Sequence, residues 1–410
     1  MRFFQHKSTI PLITLFILFF VPTAHGQYAF INYDANKLHY DSSSTSIRTF
    51  VEKCQKVRNT KTGSVRIMHI GSSHVQAGTF PHQVRKRILQ HFPNLISDRG
   101  MVFPYSAAAK CNNPTDYKVH CKEPVLLCRN VYKEPSVALG LCGIAVTAHD
   151  TLTTIQMVMN SASSEMSFGS NRIILFGESS TNVMPYLDID NTQIYPKIMD
   201  LDKRRFIYDL PKTVDSFVVV LPCDSADTFA LTGIYLANRK PGFSYTSIGV
   251  NGASLDDYLK CPYFTTDLET VKPDLVIFGI GINDATAPDF DTTVFHERYL
   301  RLTDSIRAVN KNCAFIFVTN NDSYSKTGRK GTAVNRNGLL AREVFYRLAE
   351  ETEGAVWDQF EIMGGLKSID KWYKNKLAQR DHVHFTRAGY ELLGNMLAQS
   401  ILSLMGETDK

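Results

Sequence analysis

The sequence predicts an α/β domain built on a parallel sheet and interrupted by an inserted β-sandwich. Three observations point there. Apolar runs alternate with amphipathic helical stretches near the start of the chain and again from Phe243 to its end, the pattern of a parallel sheet covered on both faces. Between about Lys110 and Lys240 that pattern breaks into short apolar or alternating runs with no long helix, which is how a β-sandwich reads. Finally, glycine turns follow the apolar runs at Gly71-Ser72-Ser73-His74 and Gly281-Ile282-Asn283-Asp284, at the strand ends where open parallel sheets place their ligands.

In chain order, Arg2 and Lys7 precede an apolar run from about Ile10 to Val21 and then Ala24-His25-Gly26. This is the outline of a secretory signal peptide, residues 1–26. Pro11 and Thr14 interrupt the run, and no later stretch has the roughly 20 apolar residues of a membrane span. The residue after the expected cleavage site is Gln27, not cysteine, so a lipid anchor is not indicated. What remains exceeds one ordinary domain of about 100–200 residues. The expected division is 27–109 and 242–410 for the two parts of the α/β domain and 110–241 for the insert. Insertions of this kind succeed at exposed loop tips.

An amphipathic stretch near Ser46 to Val57 opens the first part, followed by a strand at Val65 to Ile70 and a helix at Phe80 to Phe92. Strands in the insert are expected at Val137 to Val146, Leu152 to Met159, Arg172 to Phe176, Phe206 to Leu210, Ser216 to Leu221 and Thr232 to Ala237. In the second part, strands are expected at Tyr245 to Val250, Leu275 to Ile280, Ala314 to Thr319 and Ala355 to Trp357. Helices are expected near Leu255 to Thr270, Thr293 to Val309, Asn337 to Glu353, Ile369 to Leu377 and Arg387 to Met405.

The chain holds 45 basic and 40 acidic residues, and the formal net charge is +5. No long basic tract stands out, so nucleic acid is not a favoured partner. Four of the eight cysteines, Cys111, Cys121, Cys128 and Cys142, crowd one stretch. In an oxidising compartment such a cluster is where disulfides are expected, without the spacing giving their pairing. Cys54, Cys223, Cys261 and Cys313 sit singly in apolar segments as buried thiols. No cysteine pair has the tight spacing, with a second matching pair, that a zinc site requires.

Near the C-terminus, Asp381-His382-Val383-His384 places a carboxylate three residues ahead of an imidazole. A serine hydroxyl needs a general base, and a histidine base needs a third group to orient it. Ser73, His384 and Asp381 suit those roles. Oxyanion donors would come from the Asn283 amide, the Gly252 N–H in Gly249-Val250-Asn251-Gly252-Ala253-Ser254, and the Ser73 N–H. Each residue also has a plainer reading. Ser73 suits a helix cap, Gly252 a turn glycine, and Asn283-Asp284 a turn dipeptide with Asp284 as a structural acceptor. Asp381 and His384 suit a surface loop before the last helix, capped by Thr386. His74 and His382 read as pocket wall or support. Phe103, Tyr105, Tyr258, Tyr263 and Trp372 suit either a sugar subsite or the core.

Taken together, a glycine-serine turn, a second glycine turn, a Gly-x-Asn-Asp turn and a final Asp-x-x-His resemble the SGNH/GDSL hydrolase superfamily. The resemblance spans roughly residues 45–105 and 243–405. It implies a three-layer α/β/α, flavodoxin-like fold, with Ser73, Gly252, Asn283, His384 and Asp381 in the family's roles. More narrowly, Gly71-Ser72-Ser73-His74-Val75-Gln76-Ala77-Gly78 followed by Arg99-Gly100-Met101-Val102-Phe103-Pro104-Tyr105 resembles secreted Bacteroidetes members similar to peptidoglycan O-acetylesterases. Those relatives carry a carbohydrate-binding-like β-sandwich in the same place. The resemblance implies a periplasmic esterase with no metal or organic cofactor and an acetylated glycan as substrate. An acetyltransferase using the same triad and a silent glycan-binding protein stand as alternatives. One departure is Ser72, where the family usually has an aspartate that supports the turn.

Overall fold

A computed structural model describes residues 28–92, 96–108, 111–149, 152–160, 168–180, 183–224, 226–239, 242–327 and 331–407. The signal-like segment 1–26 lies outside the described residues. No helix among them is long and apolar enough to cross a membrane.

The body is a seven-stranded sheet. Its strands are β1 (Leu38–Tyr40), β2 (Ser64–Gly71), β3 (Ile96–Asp98), β4 (Gly242–Gly249), β5 (Leu275–Gly279), β6 (Ala314–Val318) and β7 (Ala355–Trp357). Their spatial order is β1-β7-β6-β5-β2-β4-β3, and all neighbours are parallel except β1 on β7. Inner strands are buried on both faces, which is why they read as continuous apolar runs.

Alternate residues of each strand feed opposite cores. Ile67, Leu275, Ile277 and Ile316 pack with α1 (Thr45–Thr60), α3 (Thr79–Gln90) and α11 (Arg387–Leu404). Met68, Val276, Phe278 and Phe317 pack with the opposite layer. That layer is α4 (Leu255–Leu259), α5 (Phe264–Val271), α7 (Thr292–Val309) and α8 (Asn337–Glu351). The result is the three-layer α/β/α arrangement. The short α2 (Ser73–Gln76) and α6 (Ile282–Ala285) follow β2 and β5, while α9 (Gln359–Met363) and α10 (Ser368–Lys374) follow β7.

Helix limits follow local chemistry. Ser44 caps α1 by accepting from Ile47 N–H, the stripe Ile47, Phe50, Cys54 and Val57 is buried, and Lys61 in the left-handed region ends it. The expected helix Leu255 to Thr270 is two, α4 and α5. Pro262 separates them, because it disfavours helical backbone at Cys261 and has no N–H to give.

The chain leaves the parallel sheet at Arg99. Gly100–Val102 pairs antiparallel with Ile234, Tyr235 and Leu236, and Gly242 rejoins the parallel sheet opposite Ser64. Between these points lie two antiparallel sheets. One contains Tyr117–His120, Leu152–Met159, Ser216–Pro222, Tyr186–Ile189 and Thr192–Ile194. The other contains Leu126–Arg129, Ile144–His149, Thr228–Ala237, Ser170–Ser179, Arg205–Val214 and Ile198–Asp200. Ile155, Leu187 and Val219 from the first meet Leu175, Phe206 and Phe229 from the second in one core.

The expected strand Val137 to Val146 starts only at Ile144. Gly143 has φ of +66° and the stretch before it turns, with Gly140 bridging to Tyr263. All eight cysteines are free thiols, so the crowded four hold no disulfide in this structure. Where insert and body join, Asp116 accepts from Arg99 Nε at 2.5 Å and from Arg85 Nη1 at 3.0 Å. All three side chains are buried.

Candidate active site

Three glycines set the level of the site. Gly71 of β2 is in register with Gly249 of β4 and Gly279 of β5, so the three loops leave the sheet side by side. A Cβ on Gly71 would sit 2.6 Å from the Gly279 carbonyl oxygen, closer than any side chain tolerates. Glycine there is what lets the strand ends converge. Tyr258 OH donates to Gly71 O at 2.8 Å and Tyr105 OH to Gly249 O at 2.9 Å, fixing two of these ends from below.

Ser73 opens α2. Its Oγ lies 2.7 Å from His384 Nε2, and His384 Nδ1 lies 2.7 Å from Asp381 Oδ2. A carboxylate only accepts, so Nδ1 carries the proton and Nε2 is free to accept from the serine hydroxyl. The turn holding the pair is built by Asp381 itself, whose Oδ1 accepts from Val383 N–H and His384 N–H at 3.0 Å each. Burial pushes the Asp381 carboxyl up, but those N–H groups and the imidazole outweigh it and hold it below its ordinary value. His382 adopts φ of +54°, so the backbone turns back at that point.

Across the cleft, Asn283 Nδ2 donates to Ala253 O at 2.9 Å, leaving its second amide proton uncommitted. Gly252 has φ of +84°, and a Cβ there would meet nothing within 4 Å. Among the described residues, neither Gly252 N–H nor Ser73 N–H makes a hydrogen bond. Ser73, Gly252, Asn283 and His384 all line one cleft of about 440 Å³, together with Asn112, Asn251, Gln379 and Tyr390. Asp381 sits behind His384.

The other sequence candidates separate clearly. Asp284 is buried, accepts from Leu255 N–H at 3.2 Å, and is pushed up to about 6 by burial. That is a structural acceptor tying the Asn283 turn to α4. His74 is hydrogen-bonded through Nδ1 to Tyr390 OH at 2.9 Å, and its ring lies 5.2 Å from that of His384. Burial first, then the neighbouring His384, pushes it down to about 3, so it is a neutral neighbour of His384 and does not line the cleft. His382 contacts Asp370 at 3.0 Å between the rings of Tyr324 and Tyr373.

None of Phe103, Tyr105, Tyr258, Tyr263 and Trp372 lines the cleft, and all but Tyr263 are core. Ser72 is sealed from solvent and its Oγ has no partner among the described residues. Two contributors had gone unremarked. Gln76 Oε1 accepts from Asn251 N–H at 2.6 Å, and its place three residues after Ser73, on the same helix face, is a local signal. Arg129, from Leu126–Arg129 of the insert, donates to Asn251 O, and nothing near it in sequence announces that contact.

Residues 227–392 match the model of the GDSL-like lipase/acylhydrolase family. That span contains Gly252, Asn283, Asp381 and His384, and the sheet register brings Ser73 to them. Over that span the chain is similar to the GDSL-like lipase/acylhydrolase family. By class it is a carboxylic ester hydrolase. Among solved structures, a peptidoglycan O-acetylesterase aligns at 20% identity over 90% of this chain and 99% of that one, with a TM-score of 0.73. An acetyl xylan esterase aligns at 18% identity over 38% and 79%, with a TM-score of 0.29. A family two carbohydrate esterase from Cellvibrio japonicus aligns at 10% over 71% and 99%, with a TM-score of 0.29. No curated protein matches the chain. The first of these structures shares the fold of this chain nearly from end to end, antiparallel insert included.

Proposed function

We propose that the protein is an exported serine esterase that removes O-acetyl groups from a glycan, with peptidoglycan the first candidate. The observation carrying this reading is the hydrogen-bonded line from Asp381 through His384 to Ser73, which ends in an open cleft opposite Gly252 and Asn283. The cleft is lined by the amides of Asn112, Asn251, Asn283 and Gln379, groups that suit sugar hydroxyls better than a long acyl chain. The end-to-end likeness to a peptidoglycan O-acetylesterase supports the same substrate class. Export rests on the signal-like residues 1–26, with the periplasm as destination.

In this mechanism Ser73 Oγ attacks the acetyl carbonyl carbon while His384 Nε2 takes its proton. Negative charge collects on the carbonyl oxygen, facing the Ser73 and Gly252 N–H groups and the free Asn283 amide proton. Collapse expels the sugar oxygen, which receives the proton from His384. Water, deprotonated by His384, then attacks the acetyl-serine and releases acetate. Asp381 holds the imidazole and its developing charge throughout.

The test is turnover of p-nitrophenyl acetate by the wild type and Ser73→Ala, followed by acetate release from a panel of acetylated polymers. Ser73→Ala should lose at least about 10³-fold in kcat. Equal rates for the two proteins would sink the esterase reading. The insert is expected to orient the polymer, so deleting its outer strands should lower activity on polymer more than on the small ester.

A further inference from the structure

The insert reaches the chemistry through one peptide group. Arg129 Nη2 donates to the carbonyl oxygen of Asn251. That carbonyl and the Gly252 N–H belong to the same peptide unit, which is trans. In a trans peptide the C=O and N–H point in opposite directions, and resonance couples them. A donor pulling on the oxygen aims the N–H the other way and makes it more acidic and a stronger donor. Gly252 N–H is one of the unengaged donors beside Ser73.

The surroundings favour this role over an incidental surface contact. Arg129 makes no ion pair among the described residues, so no described carboxylate competes with Asn251 O for it. The Asn251 N–H on the preceding peptide is held independently by Gln76 Oε1 at 2.6 Å, which leaves rotation of the Asn251–Gly252 peptide as the freedom for Arg129 to remove. The base of Arg129 is fixed as well. Leu126–Arg129 pairs with Ile144–His149, and a Cβ on the adjoining Gly143 would lie 3.2 Å from Val250 Cγ2. The strand and the loop before Gly252 are therefore in direct contact.

We propose that Arg129 is a positioning residue: it orients and polarises the Gly252 N–H toward the oxyanion, so that the inserted β domain completes the hydrolytic site rather than only carrying polymer to it. This rests on the esterase reading above. It also makes the efficiency of the centre depend on how the insert is seated, because Arg129 belongs to the insert and Gly252 to the body.

The experiment compares Arg129→Met, Arg129→Lys, Ser73→Ala and the wild type as full-length chains, with p-nitrophenyl acetate as substrate and thermal melting as control. An oxyanion donor is worth about 10²–10³-fold in kcat, and loss of its orientation part of that. Arg129→Met should lower kcat about tenfold with KM within about twofold and the melting temperature nearly unchanged, and Arg129→Lys should recover much of the rate. Inactivation by a p-nitrophenyl phosphonate, whose tetrahedral adduct places an oxygen anion at the same spot, should slow by a similar factor. Unchanged kcat and phosphonate inactivation in Arg129→Met would overturn this inference alone. A kcat loss that tracks a lowered melting temperature and is not rescued by lysine would also overturn it. Absence of Ser73-dependent turnover in the wild type would remove the esterase reading, and this inference with it.

Discussion

Replacing Asp116 by asparagine takes the carboxylate out of the sealed junction between body and insert. Asp116 faces Arg99 Nε at 2.5 Å and Arg85 Nη1 at 3.0 Å, with His82 Nδ1 at 3.9 Å. Both guanidinium groups and the carboxylate are at most 1% exposed. The wild type already holds two buried cations for one anion, and the variant would hold two for none. Asparagine keeps the shape and one acceptor oxygen, so the loss is chiefly electrostatic. Breaking a buried pair by removing one partner costs about 3–5 kcal/mol, and the shared carboxylate makes one such loss the expected size rather than two. Guanidinium denaturation at pH 7, comparing wild type, Asp116→Asn and the apolar triple variant Arg85→Met, Arg99→Met, Asp116→Leu, measures it. The triple variant should lose less than the single, because it strands no charge.

The pH course gives a second check on the same residue. Burial alone would raise the Asp116 carboxyl, but Arg99 foremost, with His82 and Arg85, holds it far below the ordinary carboxylate range. Its folded value therefore lies below its unfolded one. The stability it contributes is complete above about pH 4 and drains away as pH falls below that. The gap between wild type and Asp116→Asn should accordingly narrow below pH 4. A gap of under about 1 kcal/mol at pH 7, or one that widens in acid, would refute the reasoning.

Three other outcomes are expected. Asp381→Asn should leave the fold intact and lower kcat for p-nitrophenyl acetate about 10⁴-fold; a loss under tenfold would show that His384 does not depend on it. Ser72→Ala removes a buried hydroxyl that has no partner among the described residues, so it should be neutral or stabilising by up to about 1 kcal/mol in chemical denaturation, with kcat within about threefold. A large loss of activity would mean that Ser72 Oγ supports the nucleophile turn. Asp284, pushed up to about 6 by burial, keeps its proton longer when folded than when unfolded, so it weakens the wild type as pH rises from about 4 to 6. Asp284→Asn lacks that decline and should gain relative stability across this window, on the order of 3 kcal/mol. Parallel pH curves for the two proteins would contradict it.

The body was more legible in the sequence than the insert, for a physical reason. Helices such as α1 and α11 repeat a buried stripe over several turns, and strands such as β2 and β5 are sheathed on both faces, so their apolar runs stand out. Tyr117–His120, Tyr186–Ile189 and Thr192–Ile194 are three or four residues long, too short for alternation to declare itself. They take their place from neighbouring strands instead. At the site, Ser73, Asn283, Asp381 and His384 lie in turns with local signatures, and the structure brings them together with Gly252. Arg129 meets Asn251 only through the folded insert, and Ser72 stands out in the sequence only as a departure from the usual aspartate, while its lack of a partner among the described residues shows only in the structure. Two of the five aromatic residues considered for a sugar subsite are occupied in holding strand ends: Tyr105 on Gly249 and Tyr258 on Gly71.

The crossing at Arg99 also bears on how the chain is made. β4 lies between β2 and β3, yet it is synthesised after the whole antiparallel segment. As the chain becomes available from its N-terminus onward, β2 and β3 must wait with their edges unpaired until Gly242 arrives opposite Ser64. Strands 100–102 and 228–237 close the insert before that moment. The insert is thus the first unit able to complete its sheets, and the body closes over it by long-range parallel pairing, a slow class of contact. Substitutions in the insert core should therefore reduce the yield of folded body in a cell before they alter any property of the finished protein.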